Sequence, residues 1–325
     1  MSPTLRRVAA LLSGLLLASA VSAQTYPSKP VTLLVPYPAG GISDVIARTV
    51  NNTLSKQLGQ PVIVDNLGGA SGSIAAQKVL NAPADGQIIF QGSPNELILA
   101  PLAISAVKFK SEDFRLVQMI ATAQIGFLAR KDLPVRNVDE FLDYARKEAA
   151  QGRPITYASV GPGSFYHLLG EHMSKQIGVP MTHVPYKGPA PAVQDMLGGQ
   201  VECGFLAGPT VLPHIRAGRL NALAVSGIKR SPLLPEVPTI AESGFPKFDA
   251  TFSLVLFAPK NTPAPVVQKM YESFSDALKS QDLIDKLTQS DQTVAAEPPV
   301  ETASRLAQDT QRWGEVARKI NLRLE

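Results

Sequence analysis

The 325-residue chain is 45% hydrophobic and 18% charged, with a formal net charge of +4. The charges are dispersed and aromatic residues make up only 6% of the chain, which argues against nucleic acid and membrane surfaces as partners. Cys203 is the only cysteine, which excludes an internal disulfide.

The start of the chain has the pattern of an export signal. Arg6 and Arg7 precede an apolar stretch from Val8 to Val21, and small residues follow up to Ala23. We expect cleavage after Ala23, which lowers the net charge from +4 to +2 because the removed segment holds two Arg and no Asp or Glu. The stretch is too short for a comfortable membrane span. The prediction is a periplasmic protein, with residues 1–23 as a cleaved signal peptide.

Strand and helix patterns alternate in the first part of the chain. Apolar residues recur at every third or fourth position after Ile42, as in an amphipathic helix, up to Leu58-Gly59. Repeated βα units predict a mostly parallel sheet with helices on both faces. The predicted strands are Val31–Val35, Pro61–Val64 and Gln87–Phe90, and a short helix follows the Gly-rich turn Asn66–Ser73.

A second series of units follows a crossing segment at Leu116–Arg130. A later strand, Ser253–Ala258, is expected to return the chain to the first lobe, and the last 60 residues are expected to form two helices, Pro265–Ser280 and Val300–Ile320. The predicted lobes are 24–123 plus 247–325 and 124–246. The other elements expected are a helix at Val138–Ala150, strands at Ile155–Ala158, Thr182–Val184, Glu202–Phe205 and Ala222–Val225, and helices that begin near Gly163 and Pro189.

One combination of strand, Gly-rich turn and helix occurs twice. Pro36–Gly41 follows the first strand, and Ser159–Ser164 follows Ile155–Ala158. Glycine lets the backbone approach a ligand closely, and the helix start offers unpaired N–H groups and partial positive charge. Each turn alone could be an ordinary βα connection. The two together predict two lobes that grip one anionic ligand.

The remaining sequence patterns argue against a zinc site, a hydrolase and a nucleotide-binding site. His167 and His172 do not share a helix face, and the four scattered His make a zinc site improbable. The chain has no GxSxG, GxxxxGK[ST] or GxGxxG pattern, so Ser164 with His167 is a poor hydrolase pair and nucleotide binding lacks a signal. We expect no catalytic residue, no metal and no cofactor.

The ordered motifs resemble those of one family, the periplasmic solute-binding proteins of tripartite tricarboxylate transporters, also called Bug proteins. They include Gly40-Gly41-x-x-Asp44, Pro83-Ala84-Asp85-Gly86, Tyr157-Ala158-Ser159-x-Gly161-x-Gly163-Ser164-x-x-His167 and His183-Val184-Pro185-Tyr186-Lys187-Gly188. The resemblance covers nearly the whole chain after the signal segment.

The resemblance implies an α/β, two-lobed periplasmic-binding-protein fold of the Venus flytrap type (type II). It implies a monomer that holds a small organic carboxylate through main-chain amides and small hydroxyls, and that delivers it to membrane permease subunits. The alternative is a periplasmic ligand sensor with the same pocket. The ligand contacts implied are Tyr37, Pro38, Ala39, Gly40, Gly41, Asp44, Asn66, Gly69, Ala70, Ser93, Ser159, Gly161, Gly163, Ser164, His167 and Tyr186.

One segment departs from the family pattern. Many relatives carry Asp or Asp-Asn after the strand where this chain reads Phe205-Leu206-Ala207-Gly208-Pro209, without a polar side chain before Thr210. A ligand amino group would lack a counter-charge there. The departure therefore favours a plain carboxylate, or one with an apolar body, over an amino acid.

Overall fold

The computed structural model describes residues 26–246, 248–320 and 322, so the predicted signal peptide lies outside the described residues. Among the residues described, no helix combines the length and the apolarity that crossing a membrane requires. The strands are β1 (Val31–Val35), β2 (Val62–Asn66), β3 (Ile88–Gly92), β4 (Phe114–Ala123), β5 (Ile125–Arg130), β6 (Thr156–Ser159), β7 (Thr182–Pro185), β8 (Cys203–Ala207), β9 (Leu220–Val225), β10 (Phe252–Pro259) and β11 (Gln292–Val294). The α-helices are α1 (Ile42–Leu58), α2 (Ser73–Leu80), α3 (Ala100–Ala103), α4 (Val138–Ala150), α5 (Phe165–Ile177), α6 (Pro189–Leu197), α7 (Gly208–Arg216), α8 (Ala264–Leu278), α9 (Gln281–Gln289) and α10 (Pro299–Lys319).

The first sheet has the strand order β11-β4-β10-β3-β1-β2. Its central strands are almost wholly buried because helices cover both faces, as their continuous apolar sequences require. The C-terminal helices complete this layer: α8 packs against α1 and β4, and α10 packs against β4. The Thr302 hydroxyl accepts a hydrogen bond from the Met119 N–H, which fixes α10 to the sheet.

The second sheet has the order β7-β6-β8-β5-β9. Its core includes Phe127, which stacks on Phe205 with ring centroids 4.8 Å apart and meets Phe141 of α4 edge-on at 4.9 Å. Gly170 of α5 leaves room for the Tyr157 ring, since an added Cβ would lie 2.0 Å from that ring. The helices α5 and α6 therefore lie close against β6.

The prediction of mostly parallel sheets is wrong, because both sheets are mixed. Two of five neighbouring pairs are parallel in the first sheet and two of four in the second. Two consecutive strands can lie parallel in one sheet only if a crossover connection joins them. β4 and β5 instead run on from one sheet into the other through Gln124 alone, and β10 returns the chain; all three lie antiparallel to their neighbours.

The C-terminal region holds more structure than the two helices expected from the sequence. Only two residues separate a third helix, α9, from the end of α8, and β11 follows α9 as an edge strand. Helix α7 was also missed because it contains Pro213, a residue type that usually ends a helix. Helix α9 does have an amphipathic pattern, with Leu283 and Leu287 buried on one face, but it is short and depends on packing for its stability.

Candidate functional site

A cleft of about 740 Å³ lies between the two sheets, where the loops after β1, β2, β6 and β7 meet. Open α/β sheets place their ligands at this edge, beyond the carboxyl ends of parallel strands. We call this space the outer cleft. It is lined from the first-sheet side by Tyr37, Pro38, Gly68, Gly69, Ala70, Ser71, Gly72 and Ile104, and from the second-sheet side by Val160, Gly161, Pro162, Tyr186, Lys187 and Gly188.

A small inner chamber of about 20 Å³ lies behind the outer cleft and shares Tyr37 and Val160 with it. A space of this size has room for about one water molecule. It is lined by Tyr37, Gly41, Ile42, Ser43, Asn95, Val160, Tyr166, Pro189, Ala207 and Phe252.

Four helices start at the wall of the inner chamber: α1, α5, α6 and α7. Gly41, Gly188 and Ala207 cap three of them, and none of these caps makes a side-chain hydrogen bond within the described residues. Pro189 and Pro191 in α6 and Pro209 in α7 have no N–H, but the other first N–H groups of these helices have no partner inside the helix, and the helix dipole adds partial positive charge. The chamber is therefore a place where backbone groups from both sheets favour an anion.

The turn after β1 is held from behind by two of the predicted site residues. The Gly40 N–H donates to the Asp44 carboxylate over 2.9 Å, and Arg48 donates to the same carboxylate. Burial alone would raise the pKa of Asp44, but the hydrogen bonds from Arg48 and Gly40 outweigh it and lower the pKa. Asn66 donates to the Tyr37 carbonyl over 3.0 Å. Asp44 and Asn66 thus shape the turn and do not line either cavity.

A carboxylic acid is buried just after β3. Glu96 is fully buried in the π-helical turn Asn95–Leu99, and its Oε2 accepts from the N–H and the hydroxyl of Ser93, each over 2.7 Å. Its Oε1 has no partner within the described residues. Burial raises the pKa of Glu96 to about 7, although the hydrogen bonds from Ser93 act in the opposite direction. Ser93 was predicted to contact ligand, but its N–H and its hydroxyl both donate to Glu96.

The loop after β6 satisfies most of its own N–H groups. The Gly161 N–H donates to the Ser159 hydroxyl and the Gly163 N–H donates to Nδ1 of His167, each over 3.1 Å. The Ser164 hydroxyl caps α5 by accepting from the His167 N–H over 3.2 Å. Burial lowers the pKa of the His167 imidazole to about 4, so the ring is neutral at neutral pH. Ser164 and His167 are therefore engaged with the backbone and do not form a nucleophile–base pair.

Two hydrogen bonds bridge the cleft from one side to the other. The Ser71 hydroxyl donates to the Pro162 carbonyl, and the Phe165 N–H donates to Oδ1 of Asn95. Ser71 and its neighbour Ala70 adopt φ values of 52° and 45°, which only a constrained turn imposes on residues other than glycine. The structure therefore holds the two sides in contact.

The outer cleft is weakly charged. Among the described residues that line the two cavities, Lys187 is the only cation, and its side chain is exposed. The Tyr186 hydroxyl donates to Asp195 over 2.8 Å, and burial together with that carboxylate raises the pKa of Tyr186 to about 12. In the described part of the chain, no three His, Cys, Asp or Glu side chains lie together as metal ligands would.

The sequence-predicted site residues divide into two groups by position. Seven line a cavity: Tyr37, Pro38, Gly41, Gly69, Ala70, Gly161 and Tyr186. Nine lie outside both linings: Ala39, Gly40, Asp44, Asn66, Ser93, Ser159, Gly163, Ser164 and His167.

Several lining residues were missed by the sequence reasoning. Asn95 had a usable signal, because it follows Ser93-Pro94 directly after a predicted strand. The prediction for the loop 159–164 named its glycines and serines but not Val160 or Pro162. The sequence around Ile104 has no pattern that indicates a binding site. Ser71 lies in the predicted Gly-rich turn Asn66–Ser73, but its positive φ cannot be predicted from the sequence.

Known proteins resemble this chain over most of its length. Residues 46–322 match the family model described as tripartite tricarboxylate transporter family receptor. Protein BugT of Bordetella pertussis is 34% identical over 315 residues, which cover 95% of this chain and 94% of that protein.

Two solved structures from Rhodopseudomonas palustris are also similar. Rpa4515, described with adipate, has a TM-score of 0.86 and 32% identity, with 92% of this chain and 100% of that chain covered. MatC, described with bound malate, has a TM-score of 0.83 and 30% identity, with 90% and 99% covered. The two-lobed fold of these periplasmic binding proteins is the fold predicted from the sequence. The chain belongs to the family of tripartite tricarboxylate transporter receptors.

Proposed function

We propose that this protein is an extracytoplasmic receptor that binds a small organic carboxylate between its two lobes and delivers it to a tripartite tricarboxylate-type permease. The observation that carries the proposal is the inner chamber, where helix starts from both lobes meet. The two similar structures, one with adipate and one with malate, support a dicarboxylate as the ligand class.

Binding with the affinity of a receptor needs only a few hydrogen bonds to the carboxylate. Micromolar affinity corresponds to about 8 kcal/mol, and a hydrogen bond to a charged group contributes about 1.5–3 kcal/mol. A few N–H donors at the helix starts, with lobe closure, are sufficient. No covalent step is required, which supports a receptor without enzymatic activity.

The lobes that we propose comprise residues 24–123 plus 247–325 and residues 124–246. One carboxylate lies near Gly41 and the start of α1, and the body of the ligand extends into the outer cleft along Tyr37 and Val160. The apolar end of β8 at Ala207 favours a ligand without an amino group.

Calorimetry with adipate and malate tests this function, with the uncharged diamide of adipic acid as the control. We expect at least one dicarboxylate to bind with micromolar affinity or better, and the diamide to give no heat of binding. Small-angle scattering of the same samples should show a compact particle with bound ligand. Equal binding of the diamide would contradict recognition of the carboxylate.

A further inference from the structure

We propose that the stacked imidazoles of His167 and His183 position the loop 159–164, so that the cleft closes fully only while both rings are neutral. The proposal depends on the proposed function only in taking this cleft as the ligand site. His183 is a positioning residue that lies outside both cavity linings and is not among the ligand contacts discussed above.

The two rings form one rigid unit behind the loop. Their centroids are 3.8 Å apart and their planes differ by 10°. His167 lies on α5 and His183 on β7, so the stack joins a helix to the edge strand of the second sheet. The Tyr157 ring continues the stack at 5.1 Å from His183.

Each imidazole fixes a different N–H group of the loop. Nδ1 of His167 accepts directly from the Gly163 N–H over 3.1 Å. Nε2 of His183 lies 2.7 Å from the Ser159 hydroxyl, which in turn accepts from the Gly161 N–H over 3.1 Å. Both glycines have positive φ, 134° at Gly161 and 71° at Gly163, so this backbone shape needs the support.

The supported loop carries one of the two hydrogen bonds that bridge the cleft, and the residue that follows it carries the other. The Pro162 carbonyl, between the two glycines, accepts from Ser71. The Phe165 N–H, two residues after Gly163, donates to Asn95. A change in the loop at Gly161 or Gly163 therefore moves both contacts that bridge the cleft.

Protonation of the rings would remove this support. A proton on Nδ1 of His167 replaces the acceptor with a donor facing the Gly163 N–H, and two charged rings at 3.8 Å would repel each other. The other titratable groups that face the pair are Glu171, 4.0 Å from Nε2 of His167, and Tyr157, which donates to Glu171. Burial lowers the pKa of both imidazoles to about 4, and Glu171 opposes this at His183.

Three variants test the proposal on the full mature protein. His167→Asn and His183→Gln, combined in one protein, keep polar side-chain groups that can bond the loop but do not titrate. His167→Phe keeps a ring and removes the acceptor. His172→Asn is the control, because His172 is a partly buried imidazole on the same helix that packs against Phe248 and not against the pair.

The readouts are the radius of gyration of the ligand-free protein between pH 7 and pH 3.5, and adipate affinity at pH 7. With each pKa near 4, the fraction of wild-type molecules with both rings neutral falls to roughly one in seventeen by pH 3.5. We expect wild type and His172→Asn to expand over this range and the double variant to stay compact. At pH 7 we expect His167→Phe to lose at least tenfold in adipate affinity and the double variant to lose less than threefold.

Two results would overturn the proposal: a wild-type radius that does not change with pH, or a double variant that expands at the same pH as wild type. If His167→Phe does not fold, the comparison of wild type with the double variant still decides. If no variant and no wild-type sample binds adipate, the ligand assignment fails while the scattering result still tests the imidazole pair.

Discussion

The side-chain oxygen of Asn95 accepts a hydrogen bond from the main-chain N–H of Phe165, the first residue of α5. The nitrogen of the same amide donates to the Tyr37 hydroxyl, in the wall of both cavities. One side chain thus joins a helix start in the second lobe to an aromatic ring in the first. The N–H groups at a helix start need an acceptor from outside the helix. Asn95 supplies this acceptor to Phe165, and a ligand carboxylate is an acceptor of the same kind.

Replacing Asn95 by Ala should favour the open arrangement of the lobes. The change leaves the buried Phe165 N–H without its acceptor and the Tyr37 hydroxyl without its donor, at a cost of about 1–3 kcal/mol to the closed form. Small-angle scattering of the ligand-free protein should show a larger radius than in wild type. Asn81→Ala, at the exposed end of α2, is the matched control and should leave the radius unchanged.

Replacing Glu96 by Gln should change how stability depends on pH. The pKa of Glu96 rises from 4.5 to about 7 on folding. Between these values the folded protein keeps a proton that the unfolded chain releases, so the contribution of Glu96 to stability is present below pH 4.5 and is lost as pH rises to about 7. The amide of the Glu96→Gln variant does not ionise, so the variant does not lose this stability as pH rises. Urea unfolding should show Glu96→Gln gaining up to about 3 kcal/mol over wild type between pH 5 and pH 8.

The exposed residue Glu112 provides the control for this pH effect. Glu112→Gln should follow the wild-type dependence of unfolding free energy on pH. A Glu96→Gln protein whose stability difference from wild type is the same at pH 5 and pH 8 would show that Glu96 does not titrate in this range.

The sequence predicted the elements whose ends carry strong local signals. Helix α1 has the predicted bounds because its apolar residues recur with helical spacing and Gly59, in the left-handed conformation, ends it. Helix α4 starts where Asn137 accepts from the Glu140 N–H, a standard N-cap. The mixed sheet order could not be read in the same way, because it depends on β10 inserting between β3 and β4 from more than 120 residues away.

The site was predicted at the level of loops and not of individual contacts. The Gly-rich turns do meet at one cleft. They could be predicted because a glycine pattern after a strand is a local signal in the sequence. Which N–H groups remain free was not predictable, because the partners come from elsewhere: Ser159 is bonded to His183, and Phe165 to Asn95. A side chain distant in sequence therefore changes the role of a loop residue.

Replacing Gly170 by Ala should destabilise the second lobe. A Cβ at Gly170 would lie 2.0 Å from the Tyr157 ring, which is fully buried and has no room to move. Overpacking of this kind costs about 1–3 kcal/mol or more. Thermal unfolding should show a lower midpoint than wild type.

A second helical glycine serves as the control for Gly170. At Gly314 of α10, an added Cβ would make only ordinary contacts, the nearest at 3.5 Å to Arg318. Gly314→Ala should be neutral or stabilise the protein by about 0.5–1 kcal/mol, because Ala favours the helix. Equal destabilisation by both variants would point to a general intolerance of helix changes and not to the contact with Tyr157.

Replacing Gly40 by Val should weaken carboxylate binding far more than replacing Lys187 by Ala. Gly40 has a φ of 90°, and its N–H holds the turn through Asp44, so a β-branched residue would distort the backbone at the start of α1. Lys187 lies exposed at the cleft, where one cation contributes little. Calorimetry with adipate should show at least a tenfold loss for Gly40→Val and less than a threefold loss for Lys187→Ala.

Gly59→Val separates backbone strain from an effect on recognition. Gly59 also has a positive φ, 69°, with open space around its Cβ position, but it lies at the far end of α1 from the cleft. The two glycine variants should therefore lose comparable stability, while only Gly40→Val loses affinity. If Lys187→Ala abolished binding and Gly40→Val kept it, an ion pair would carry recognition, and the helix starts around the inner chamber would have no part in selecting an anion.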